Sequence, residues 1–483
     1  MIGLALSGGG YRASLFHLGV MARLADEGLL KEVNALSTVS GGSIVGAFYY
    51  KMLCEELRND RPLTDQDYRD LMQRVIQAFV AVVQEDLRNR VVITGGISRL
   101  IPEPILKRLL WLVHKVVPAL NPAIILDSKL EQGMRALMFQ TTVLRDLMDP
   151  PVHPENKKPE LILNTSILEN GQPLFISTNP TSLLWRQNER NHVIRADEMI
   201  NLPLSKAVAA SACVPGLFNP ITIPFGDRMV HGVDGGVLDN LGGHAIQLLW
   251  QEGMSILLSD ASKPLHIENY VEVDSVESFF RIQDLFMSAI RDLRIEGTDD
   301  TIVDMRKEIP GIDPTVRTLA MTMRTDLNAF SEVEAYSLMY VGYCACGQEM
   351  DKLHGECTSE WASGKKVGED WPFMSIRSYI ETPTPEYLAL MGQKAKKRFS
   401  VSNLTLSQAV SLSYLLLYLA VFVYIWVHHG VYEAIWYVGF IPVLLVSLGG
   451  VLFLRRHVAK GKRKGTMASL KREQSDFVSA LNQ

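Results

Sequence analysis

The chain has 483 residues, with 48 Lys and Arg against 53 Asp and Glu, a formal net charge of −5 that excludes a chain-wide basic footprint for nucleic acid. With 47% hydrophobic and 21% charged residues it is not a disordered chain, and five cysteines in this length exclude a disulfide scaffold. The length admits about three domains, or one large α/β domain with additions.

Met1 leads straight into Ile2-Gly3-Leu4-Ala5-Leu6, a short apolar run that reads as a buried strand. No basic region or long apolar core precedes it, so this start is expected to belong to a fold on the cytosolic side. Ser7-Gly8-Gly9-Gly10-Tyr11-Arg12 follows, and then a helix pattern through Leu15, Phe16, Val20 and Leu24. Glycines at a strand-to-helix turn free the backbone N–H groups, and the helix N-terminus adds positive potential. Such a turn suits a phosphate or the oxyanion of an acyl-transfer intermediate. No Lys follows as a phosphate loop requires, and Gly8-Gly9-Gly10-Tyr11-Arg12-Ala13 offers only the alanine-ended form of the dinucleotide pattern. A tight turn without ligand is the plain alternative.

Val33-Asn34-Ala35-Leu36 is the next strand candidate, followed by Thr38-Val39-Ser40-Gly41-Gly42-Ser43 and a helical run from Ala47 to Tyr50. This resembles a nucleophile elbow, Gly-x-Ser-x-Gly, with Thr38 in place of the first glycine. Ser40 is the candidate nucleophile, ahead of Ser37 and Ser43; the plain alternative is a helix N-cap serine. Residues 61–150 read as mostly helical. Within them Ile105, Leu109, Leu112, Val113, Val116 and Val117 form one apolar face beside Trp111 and the basic Lys107, Arg108, His114 and Lys115. That pattern suits a helix lying on a membrane or a core-packing helix.

Strands return at Leu161–Asn164, Leu174–Ile176 and Ile256–Leu258. A nucleophilic serine needs a base. Asp234, in Val233-Asp234-Gly235-Gly236, stands on a tight turn after a strand and could touch the hydroxyl directly; Asp260 is a rival, and His244 follows Ser40 and Asp234 in the order of a hydrolase triad. Residues 266–350 read as helices with strand-like pieces near Arg317–Arg324. Cys344, Cys346, His354 and Cys357 are a poor match to zinc-ligand spacing, and no metal or other cofactor is implied. The polar stretch beyond reads as a connector.

Leu404–Val427 and Ala434–Leu454 contain no charged residue, and each can cross a hydrocarbon core of about 30 Å. Only His428 to Glu433 separate them. Lys394, Lys396, Lys397 and Arg398 precede the pair; Arg455, Arg456, Lys460, Lys462, Arg463 and Lys464 follow it. The positive-inside rule predicts a hairpin in the cytoplasmic (inner) membrane with the catalytic part and both termini cytosolic.

Three pieces in order, Gly8-Gly9-Gly10-Tyr11-Arg12, Thr38-Val39-Ser40-Gly41-Gly42 and Asp234-Gly235-Gly236, resemble the patatin-like phospholipases. Ala209–Phe218, Asn164-Thr165-Ser166 and Arg324–Ser331, with Glu334 and Tyr343, extend the likeness over about residues 1–345. The resemblance implies a three-layer α/β/α domain with a central, mostly parallel sheet. It implies a Ser40/Asp234 dyad without histidine, an oxyanion hole from Gly8, Gly9 and Gly10 with Arg12 holding or polarising the loop, and supporting roles for Thr38, Gly42, Gly235 and Gly236. The implied activity is hydrolysis of phospholipid or other acyl-lipid esters through an acyl-enzyme. An acyltransferase or thioesterase using the same dyad, and an inactive lipid-binding scaffold, are the alternatives. The expected organisation is therefore an acyl hydrolase domain over 1–345 with a helical insertion at 61–150, a connector at 346–403, a transmembrane hairpin at 404–454 and a basic cytosolic tail at 455–483.

Overall fold

Strand β1 (Ile2–Leu6) is buried along its whole length, which requires cover on both faces. Alternate side chains point to opposite sides. Gly3 and Ala5 meet Ile246 and Met254 on one side, whereas Leu6 reaches toward Gly46 on the other. The sheet is therefore sandwiched between helical layers, as in an α/β/α arrangement. The computed structural model describes residues 1–85, 129–190, 199–225, 228–265, 276–325, 327–354 and 370–395. The amphipathic segment 105–117, the paired apolar spans at 404–454 and the basic tail lie outside the described residues; among the described ones no helix is long and apolar enough to cross a membrane.

The elements that position the site are helix α1 (Gly10–Asp26), β2 (Val33–Thr38), α2 (Gly41–Glu56), α3 (Asp65–Val83), β3 (Glu160–Ile167), β4 (Pro173–Ser177), α4 (Leu204–Ala212), β5 (Ile221–Phe225), β6 (Arg228–Asp234), α5 (Gly243–Leu249), β7 (Ser255–Asp260), α6 (Val276–Ile295), β8 (Thr301–Asp304) and α7 (Glu332–Gln348). The strands form one sheet in the order β5-β6-β3-β2-β1-β7-β8, with β4 also on β3. β3, β2, β1, β7 and β8 are mutually parallel, and β4, β5 and β6 complete an antiparallel arm.

Register decides where the motifs meet. Leu6 pairs with Thr38 and with Ser259, and Thr38 pairs with Leu163, so four strands reach the same edge in step. The glycine turn after β1 and the Ser40 turn after β2 leave that edge as neighbours, as ligand-binding loops of open parallel sheets do. β3 runs past the edge and pairs there with β6, Thr165 opposite Asp234. An antiparallel strand thereby carries its last residue to the ends of the parallel ones.

Two readings change. The stretch near Arg317–Arg324, expected to hold strand-like pieces, is mostly a helix, Pro314–Thr322. Asp313 caps it by accepting from Thr315 and Val316 N–H, with Pro314 in the first turn, and this start signal outweighs a short β-like run. Secondly, the compact unit containing the site runs from Met1 to Met391, past the expected boundary at 345. In the stretch read as connector, Trp371, Phe373, Ile376, Tyr387 and Met391 are buried, an apolar set too scattered among polar residues to stand out by period. A second unit covers Gly392–Gln483, of which only residues 392–395 are described.

Candidate active site

Ser40 occupies the N-cap position of α2 with φ 51° and ψ −116°. Left-handed φ outside glycine costs about 1–3 kcal/mol and persists only where the surroundings impose it. Here the backbone is pinned: the Ser40 N–H donates to Ser211 O (3.1 Å) and Oγ (3.2 Å). The Ser40 hydroxyl caps no helical N–H, unlike an ordinary N-cap serine. Gly41 is needed because α1 comes so close that an added Cβ would overlap the Gly10 carbonyl. Ser14 Oγ donates to Gly41 O across the same contact (2.6 Å). The N-termini of α1 and α2 thus converge beside Ser40, and their dipoles add positive potential there.

Thr38 is accommodated rather than strained. Its Oγ1 donates to Ile162 O (2.9 Å) and accepts from Ser43 Oγ (3.0 Å). Its methyl lies where a side chain at Gly46 would collide with it. Ser43 continues the chain to Ser211 Oγ (2.7 Å), which donates to Asn164 O (2.6 Å). Ser37 Oγ donates to Gly242 O (2.6 Å). The two weaker serine candidates therefore belong to the scaffold of the turn.

In the glycine turn, Gly9 and Gly10 have φ of 137° and 56°. Gly9 is the N-cap of α1 and offers no side chain to its first N–H groups. Gly8 departs from expectation: its N–H already donates to Asn240 O (2.9 Å), which leaves Gly9 and Gly10 as the amides suited to an oxyanion. Gly10 N lies near the position that a Cβ on Gly41 would take, beside the serine. Arg12 is fully buried and grips backbone: Nη1 donates to Met321 O (2.8 Å) and Met323 O (3.3 Å), Nη2 to Ala261 O (2.8 Å). Burial brings its pKa down to about 10, opposed by Asp260 and Asp284, so it stays charged at neutral pH. These bonds tie the first turn of α1 to Ala261 and to the 321–323 stretch.

Asp234 is buried at the end of β6. Its Oδ1 accepts from Gly236 N–H (2.8 Å). Ser40 lies against the carboxyl group, yet Oδ2 makes no hydrogen bond of ordinary geometry. Such contacts are often loose without substrate. Loss of solvation pushes the Asp234 pKa up to about 6, against the lowering influence of nearby Ser40 and of the Gly236 N–H bond. Gly42 and Gly235 sit against the carbonyls of Leu6 and Asn164, where any side chain would collide.

The rivals have other partners. Asp260 Oδ2 is ion-paired with Arg291 (2.6 Å) and Arg306 (3.0 Å). His244 Nδ1 faces Arg294 (3.3 Å), and its ring packs on Phe175. Among the described residues no group of three His, Cys, Asp or Glu side chains could hold a metal ion; Cys357 lies outside them.

Sequence reasoning missed His17, Ser211 and Asn240 as parts of this site. His17 is buried beneath the turn, with Nδ1 on Ser259 Oγ (2.7 Å) and Nε2 on Ser7 O (2.9 Å). Donation to Ser7 O fixes the Nε2–H tautomer, and burial lowers its pKa to about 4. The Ser7–Gly8 peptide is thereby clamped at its carbonyl by His17 and at its N–H by Asn240. No spacing signal marks these residues; only the fold brings them together.

A family model described as patatin-like phospholipase matches residues 4–245. Among solved structures, the chain is similar to VipD from Legionella pneumophila at 14% identity, over 73% of this chain and 67% of that one, with a TM-score of 0.35. No curated protein matches.

Proposed function

The chain belongs to the patatin-like phospholipase family, and from that premise we propose that it is a membrane-anchored serine hydrolase of phospholipid acyl esters, of phospholipase A or lysophospholipase type, working through Ser40 and Asp234. The observation that carries the reading is the placement of Ser40. Its backbone is held in a strained conformation, its hydroxyl is spared from capping, and it stands between two helix N-termini and a buried carboxyl group. Ser40 Oγ attacks the ester carbonyl carbon while its proton passes to Asp234. The carbonyl oxygen gains the negative charge, and the Gly9 and Gly10 amides receive it. Collapse breaks the ester C–O bond, the leaving alcohol takes the proton from Asp234, and the acyl group remains on Ser40. Water then attacks the acyl carbon as Asp234 accepts its proton; the bond from that carbon to Ser40 Oγ breaks, Oγ takes the proton back from Asp234, and the fatty acid leaves.

A base with a pKa of about 6 is mostly ionised at neutral pH yet basic enough to take a proton. Activity is therefore expected to rise through about pH 6 and level off above it. The two uncharged spans with basic flanks support the anchoring: they would hold the catalytic unit on the cytosolic side, at raised local concentration of its lipid.

The test is fatty-acid release from mixed phospholipid vesicles by the detergent-purified chain, with Ser40→Ala and Asp234→Asn beside it. Wild-type release with a loss of about a thousandfold or more in either variant is expected. Full activity in Ser40→Ala would overturn the assignment, and fluorophosphonate labelling of wild type but not of that variant would locate the nucleophile.

A further inference from the structure

The outward face of α6 is apolar where a surface helix is ordinarily polar. Ile282, Leu285, Phe286, Ala289 and Leu293 recur at helical spacing and are exposed, Phe286 by 65% and Leu293 by 72%. Two of its arginines hold the helix to the body: Arg291 to Asp260 and Asp304, and Arg294 against His244. The stripe is thus set outward by bonds on the opposite face.

Its location is informative. β7 and β8 are parallel, so α6, which joins them, runs back along the sheet and starts at the edge where the strands end. Arg291 meets Asp260, the last residue of β7. At about 1.5 Å per residue, the helix up to Phe286 stands beyond that edge. Met287 reaches the turn of Asp234, touching the place of a Cβ on Gly236 at 3.1 Å. On the other flank the β3–β6 arm passes the same edge. Leu168 donates its N–H to His231 O (3.0 Å) beyond the Asp234 pairing, and both Leu168 and Met229 are exposed there.

We propose that the α6 stripe and the tip of the β3–β6 arm dock the catalytic unit onto a zwitterionic phospholipid surface, with the dyad between them. The inference rests on the lipid-ester hydrolase reading. Two separate apolar projections past one edge suit a broad apolar medium better than a single helix or peptide. Asp292 at the flank of the stripe is paired with Arg291, and α6 carries three acidic and three basic side chains, so it offers no net positive charge to attract an anionic surface. Insertion is then hydrophobic, and salt has little effect on it.

The expected hairpin would hold the chain on vesicles in any case, so the test reads depth at α6 and not mere association. The full chain carrying Ser40→Ala and Phe286→Trp is reconstituted in phosphatidylcholine vesicles with dibrominated acyl chains. Ser40→Ala alone is the reference for the seven native tryptophans. Quenching of the added emission is expected; an unquenched Trp at 286 overturns the proposal. In the active chain, Ile282→Ser with Phe286→Ser is expected to lower hydrolysis of phosphatidylcholine vesicles about tenfold or more, while p-nitrophenyl butyrate turnover stays within about twofold. Equal loss on both substrates, or no loss on either, overturns it. If the double variant instead abolishes self-association in sedimentation and position 286 is unquenched, the face belongs to a second copy. A wild type inactive on both substrates would sink the hydrolase reading, and the quenching result would still judge the docking face.

Discussion

At the scale of single residues, the site is costly to the fold. Asp234 has a folded pKa of about 6 against an ordinary 3.8. The folded state therefore holds the proton more tightly than the unfolded chain does. Stability falls as pH rises between those two values, and the deficit is complete above about 6, at a cost on the order of 2–3 kcal/mol. Asp234→Asn removes the charge while keeping the shape. It is expected to raise the melting temperature at pH 7.5 by several degrees and to leave it nearly unchanged at pH 4, in thermal scans of both proteins. A variant no more stable at pH 7.5 than wild type would contradict the burial argument.

At the scale of elements, the Ser40 turn shows what was legible in the sequence and what was not. The three loops were readable because each carries small residues at a strand-to-helix junction, and a parallel sheet brings such junctions to one edge. The adjustment to Thr38 was not readable. A threonine where the elbow pattern has glycine needs space, and Gly46, one turn into α2, makes room for its methyl. Nor did the glycine motif reveal that Gly8 spends its N–H on Asn240, a partner more than two hundred residues away. Thr38→Gly would bring the motif closer to the usual family pattern. It would also remove the bonds to Ile162 O and Ser43 and loosen β2. A loss of about 1–3 kcal/mol in urea unfolding is expected, with turnover kept within about threefold. A stabilised Thr38→Gly protein would mean that the threonine is the strained choice after all.

At the scale of the molecule, Asp26 ties distant segments together. Its Oδ2 accepts from Tyr343 Oη (2.6 Å) and Trp371 Nε1 (2.8 Å), and Oδ1 is ion-paired with Arg69 (3.1 Å). Helices α1, α3 and α7 and the stretch after residue 370 meet at this carboxylate, which is why the compact unit continues past residue 345. The sequence showed these residues singly, but only the tertiary structure shows their shared partner.

The spacing of the site along the chain also sets a timetable. The glycine turn and Ser40 lie within the first 40 residues, in a β–α–β–α unit built on neighbouring contacts. Asp234 arrives only when β6 pairs with β3 across a long stretch of chain. During synthesis, which delivers the N-terminus first, the proposed nucleophile is formed before its proposed base exists. The nascent chain is therefore expected to pass through a silent interval. Ribosome-bound chains ending near residue 215 should resist fluorophosphonate labelling, and chains long enough to expose β6 should acquire it. The proposed lipid-ester hydrolase would then be unarmed until most of its compact unit has been made.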